Sequence, residues 1–206
     1  LIDLTLADLG LRVLPEADPP VGQQVAFPFP LEPESGMDWQ AHPPPREGGV
    51  LTIPLVTGQA HGDLKVELGP LQANGQEATA RVLGVVVSVG PVEVKRAGSQ
   101  SRTAGFSAEL GQLPTRVVID IRGVPPDSGM VAALNEAAGT VGMGIVAIAH
   151  AVRIDTNLAE FISSASVEMA VEQGWTEAWP RDRVVVARIG QDGKGRILET
   201  TRLAED

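Results

Sequence analysis

Cysteine is absent from these 206 residues, and so is tyrosine. Without a thiol there is no disulfide framework, no thiolate zinc site and no cysteine nucleophile, and the redox compartment stays undetermined. Aromatic residues make up 3 % of the chain, so each of its three tryptophans and four phenylalanines stands out. Basic charge is scarce too: 16 Lys and Arg against 26 Asp and Glu give a net charge of −10, and lysine occurs only at Lys65, Lys95 and Lys194. Affinity for a phosphate backbone comes mainly from basic side chains, so no nucleic acid is expected as partner. No uncharged apolar run reaches the roughly 18 residues of a membrane-spanning helix, and no basic segment followed by an apolar one marks a signal peptide. Patterns of the GxSxG, HExxH, phosphate-loop and dinucleotide-binding kinds are missing, so no reaction is encoded and the expected function is non-enzymatic. Because the first residue is Leu1 and not Met, a removed leader or a piece of a longer protein is expected, and either favours an exported or modular setting.

What the chain has in quantity is alternation. Ile2, Leu4 and Leu6 alternate with polar or small neighbours, as do Leu51, Ile53 and Leu55, then Leu64, Val66 and Leu68, and later Phe106, Ala108 and Leu110, then Val117, Ile119 and Ile121. A period of two sends one face of a strand to a core and the other to water. Asn74-Gly75 is the strongest short hairpin signal. Residues 82–89 are nearly continuous in valine, the pattern of a strand covered on both faces, and Gly90-Pro91 is expected to break it. Residues 142–154 read as a strand with Val146, Ile148, His150, Val152 and Ile154 on one face. The last forty residues read as three more strands: Val167, Met169 and Val171 alternate, residues 183–189 are rich in branched side chains, and 196–203 return after a reversal at 190–195.

Two stretches depart from that pattern. Residues 14–46 hold nine prolines, which cannot donate to a ladder, so a proline-rich strap is expected there. A single helix is expected at about 129–138, capped by Asp127 or Ser128, with Met130, Ala133, Leu134 and Ala137 on one stripe and Gly139 as its stop. The predicted fold is all-β: one or two antiparallel β-sandwiches with a strap and one short helix. The polar run RAGSQSRTAG divides residues 1–96, an N-terminal β domain, from 97–206, a C-terminal sandwich.

Within 104–203 the pieces come in a particular order. FSAEL with an LPT turn is followed by VVIDIRGV, a Pro/Asp excursion, GIVAIAHAVRID, SVEMAV, the turn QGWTEAWPRD, VVVARI with GQDGKG, and a closing RILETT. This order resembles the Ig-like β-sandwich modules of bacterial S-layer and other cell-surface proteins. There a strand similar to PVTVTIPY precedes a hairpin similar to DPDKVVVYYIDEDGKW; residues 167–171 and 181–197 match them by resemblance. Such modules run on into a strand similar to TFTTNHFSKYAV, which has no counterpart before Asp206. The resemblance implies that this strand is supplied by the N-terminal Ile2, Leu4 and Leu6 or by a neighbouring molecule. It also implies an extracellular or cell-envelope setting and a structural role exercised by self-assembly through strand complementation. The partners would be further copies of the chain or other surface proteins.

The candidate sites are few. Trp39, Trp175 and Trp179 read either as rings that pin loops onto the sandwich or as a platform for stacking a polysaccharide or docking a protein. The second option makes a carbohydrate-binding module the alternative function. His42, His61 and His150 lie on separate segments without metal-ligand spacing, so no metal site is expected. Asp182 and Asp192 are weak calcium candidates, since Asp192 lacks the alternating acidic companions of a calcium loop. Calcium is therefore the one ion worth testing, and no other cofactor is expected.

Overall fold

The computed structural model describes residues 1–15, 22–28, 45–57, 60–94, 103–171, 173–180, 183–201 and 203. It is all-β, with 51 % of the described residues in strands and 12 % in helices. Contacts divide the chain into two units. The first comprises Leu1–Val94, Thr103–Arg122 and Arg153–Met169; the second includes Gly123–Val152 and Ala170–Asp206.

Among the described residues eleven strands precede the C-terminal region: β1 (Ile2–Thr5), β2 (Arg12–Leu14), β3 (Gln24–Pro28), β4 (Gly49–Thr57), β5 (Ala60–Leu68), β6 (Gln72–Asn74), β7 (Glu77–Glu93), β8 (Thr103–Leu110), β9 (Arg116–Gly123), β10 (Val152–Thr156) and β11 (Ile162–Met169). The 17-residue β7 organises the first unit. Its first part pairs with β3 and β6, and its second part lies between β5 and β8, giving an antiparallel path β4-β5-β7-β8-β11. A three-stranded sheet runs β1-β9-β10. Side chains of both sheets meet in one buried cluster that contains Ile2, Phe27, Leu51, Ile53, Leu64, Val87, Phe106, Ile119 and Leu158. Two layers closed over one core are the arrangement that half-apolar strands predict.

The valine run departs from its expected coverage on both faces. Val85, Val87 and Val89 are buried while Val86 and Leu83 are exposed, so one side of β7 faces out. Nor does Gly90-Pro91 end the strand: β7 continues through Val92 with a shift of register. Gly90 is at φ 144, and a Cβ there would meet the Cα of Gly105 at 2.5 Å. Two facing glycines thus let β7 and β8 pass closely where the ladder bulges.

The proline-rich segment includes β3, a true ladder strand paired Ala26↔Thr79 and Phe27↔Ala78. Its remaining prolines, apart from those at the margins, lie outside the described residues, as does Phe29. The division expected at 96/97 falls between β7 and β8, which are neighbours in one sheet from Val85↔Leu110 to Glu93↔Thr103. The polar run between them joins adjacent strands, and both sides contribute to one core.

In the second unit α1 (Ser128–Gly139) forms as the capping pattern predicts, with Asp127 Oδ1 accepting from the Met130 amide at 2.7 Å. Gly139 lies within it; the left-handed residue that follows is Gly142, at φ 71. A five-residue helix, α2 (Gln173–Glu177), carries Trp175 and was not expected. The last two predicted strands shrink to β12 (Ala187–Ile189) and β13 (Gly195–Ile197), extended by Leu198 N donating to Val186 O. Residues 143–151 enter no ladder among the described residues. Their alternation suits a strand, yet an apolar period alone supplies no neighbour to pair with. Fully buried apolar side chains of this unit, among the described residues, are Ala137 and Ala138.

Candidate functional site

The N-terminal strand is held by its own chain. Ile2 faces Ile119 and Leu4 faces Val117; Ile2 and Leu6 are buried and Leu4 is half-buried. Arg116 clamps Asp3 through both carboxylate oxygens, Nε to Oδ1 at 2.8 Å and Nη2 to Oδ2 at 2.6 Å. The hydrogen bond from Arg116 holds the Asp3 carboxyl below its usual range, and the same bond raises the guanidinium. At the other edge of this sheet Asp155 accepts from Arg153 Nε at 2.9 Å and from Arg122 Nη2 at 2.8 Å, and its pKa is likewise lowered, first by the Arg153 hydrogen bond. These exposed clusters tie neighbouring strands together.

Trp175 and Trp179 come together, with ring centroids 6.4 Å apart and planes inclined by 51°. Both are half-buried. Trp39, their proposed companion, lies outside the described residues, as do Asp182 and His42. Asp192 works as a turn residue: its Oδ1 accepts from Lys194 N at 3.1 Å inside a reversal closed by Gly190 N to Lys194 O. Among the described residues no three His, Cys, Asp or Glu side chains converge as a metal site. No described helix is long and apolar enough to cross a membrane.

A different part of the first unit draws polar groups together. The outward face of β4-β5-β7-β8-β11 holds a groove of about 500 Å³. Register aligns Asp63 with Ser88, Ser88 with Ser107 and Ser107 with Ser166, a single line of polar side chains across four strands. Neighbouring strands are about 4.8 Å apart, so this line repeats a hydrogen-bonding group at that interval. His61, Glu168, Gly62, Gly90 and Gly105 also line the groove. Sequence reasoning missed this line. Ser88, Ser107 and Ser166 are ordinary outward-facing serines until pairing is known, and only register makes them neighbours.

The large sheet has two margins of different character. β4 carries Pro54 in mid-strand, a residue that blunts an edge because it lacks an amide proton. Among the described residues β11 pairs only with β8, and Ser163, Ser164, Ala165, Ser166 and Glu168 are exposed along it.

Comparison of the chain with protein-family models, with curated proteins and with solved structures finds no match. The site is therefore read from its own chemistry.

Proposed function

We propose that this protein is a non-enzymatic structural module of the cell surface or an extracellular layer, and that copies of it associate by β-strand pairing. The observation that carries the reading is the stretch at residues 143–148. It has the apolar alternation of a strand, it enters no ladder among the described residues, and its Val146 is 79 % exposed. Its backbone is engaged at isolated points, Met143 N to Ala138 O and Ile145 N to Asn135 Oδ1. A β-prone segment in that state is a template for a strand from another chain. Among the described residues of its unit only Ala137 and Ala138 are buried apolar side chains, and burial against a second copy adds to that small core.

Sedimentation velocity over a concentration series tests this. The expected outcome is a concentration-dependent oligomer, shifted to monomer by Val146→Asp. A single monomeric species at every concentration, with this unit cooperatively folded, contradicts it.

The tilted Trp175–Trp179 pair supports a second reading, a carbohydrate-binding module. Its expected sign is a shift of tryptophan emission on adding polysaccharide, lost in Trp175→Ala; unchanged emission counts against it.

A further inference from the structure

We infer that the groove on the outward face of the large sheet binds a neutral polyhydroxylated ligand, a short saccharide. Several independent features of the first unit converge on that chemistry, and none involves residues 143–148 or the tryptophan pair.

The first is the set of hydroxyls itself. On β11 the serines next along the strand are engaged by the protein: Ser163 donates to Glu109 O and Ser164 to Glu109 Oε2. Along the groove, Ser88, Ser107, Ser166 and the Asp63 carboxylate hydrogen-bond to no group among the described residues. Each hydroxyl can donate once and accept twice, and the carboxylate accepts on both oxygens, so the line presents unused capacity of both kinds.

Charge decides the class of ligand. Asp63 and Glu168 line the groove, and among the described residues its one basic side chain is His61, with no Lys or Arg. A phosphate, sulfate or carboxylate would face two carboxylates against a single imidazole, whereas a neutral hydroxyl donates to either carboxylate in a charge-assisted bond. Shape agrees. Pro54, Val56 and Pro91 supply apolar surface beside the polar line, suited to the C–H faces of a sugar ring. Gly105, whose Cβ would stand 3.7 Å from Glu168 Cβ, leaves the backbone beside that carboxylate open to a ring. The volume of about 500 Å³ lies in the range of small-molecule clefts, about 300–1,000 Å³.

The test is an amide ¹H–¹⁵N correlation titration of the full chain with four neutral disaccharides, cellobiose, maltose, lactose and chitobiose. The expected result is that at least one of them shifts the amides of Asp63, Ser88, Ser107 and Ser166. Asp63→Asn should then weaken binding by about tenfold and Ser107→Val by about fivefold, with native dispersion retained. Ser166→Ala, on the exposed outer strand, carries the comparison if either variant loses its dispersion. Three results overturn the inference: no shift with any of the four sugars, shifts centred on Trp175 and Trp179 instead, or unchanged affinity in the folded variants.

Discussion

Gly195 has a role that its surroundings in sequence conceal. Within GQDGKG it reads as one more residue of a reversal, and the reversal is indeed made by Gly193, at φ 73. Gly195 itself sits under α1, where a Cβ would meet Ala133 O at 2.4 Å and Ala137 Cβ at 3.1 Å. Gly195→Ala should therefore destabilise the second unit by about 1–3 kcal/mol, the usual cost of overpacking against backbone. Gly139→Ala is the control: nothing lies within 4 Å of its Cβ, and inside a helix the change should gain up to about 1 kcal/mol. Urea unfolding of both variants checks the pair, and equal effects would remove the argument. A second prediction at this scale concerns acid. Asp3 and Asp155 titrate below the ordinary carboxylate range when folded, first because Arg116 and Arg153 hydrogen-bond to them. Depressed folded values mean that the stabilisation is present above the unfolded value, about pH 4, and is lost as pH falls through the folded one. The melting temperature should fall on acidification below about pH 4, and the double variant Asp3→Asn, Asp155→Asn should show a shallower fall; identical slopes contradict the assignment.

At the scale of elements the sequence was legible wherever the signal is local. The Asp127 cap and the stripe of α1 follow from side chains within one turn of helix, and both are in the structure: Asp127 Oδ1 bonds the Met130 amide, while Ala137 is buried and Met130, Ala133 and Leu134 are half-buried. Asp127→Ala should cost about 1 kcal/mol and lower the melting temperature of the unit that holds α1; no change would mean the cap is idle. Strands β4, β5, β8 and β9 likewise lie on their predicted alternations. What was not legible depends on partners. The valines of 82–89 look covered on both faces, but Val86 and Leu83 face outward because nothing in the described chain lies over that side. Phe27, inside the proline-rich segment, is a core residue of β3, 1 % exposed, because residues 24–28 find β7 to pair with, a partner that no local pattern names. The line from Asp63 to Ser166 joins residues more than a hundred positions apart, and no single-strand pattern encodes which serines will face one another.

For the whole molecule the same dependence explains both what closes and what stays open. The first unit closes a buried cluster drawn from β1 to β11, whereas among the described residues the second buries only Ala137 and Ala138, exposes Val131, Val141, Val146 and Leu203, and builds strands of three residues where longer ones were expected. Exposed branched side chains on an alternating, unladdered segment are the surface that strand addition consumes. β1 pairs within its own chain, with β9, so the N-terminal strand is not free to join a second copy. The proposal accordingly assigns the joining to residues 143–148. The most direct measurement is amide hydrogen exchange of these residues across a concentration series. The account predicts protection that is weak in dilute protein and rises as copies associate, with the ladder amides of β5 and β7 unchanged throughout. Protection at 143–148 that is independent of concentration contradicts it.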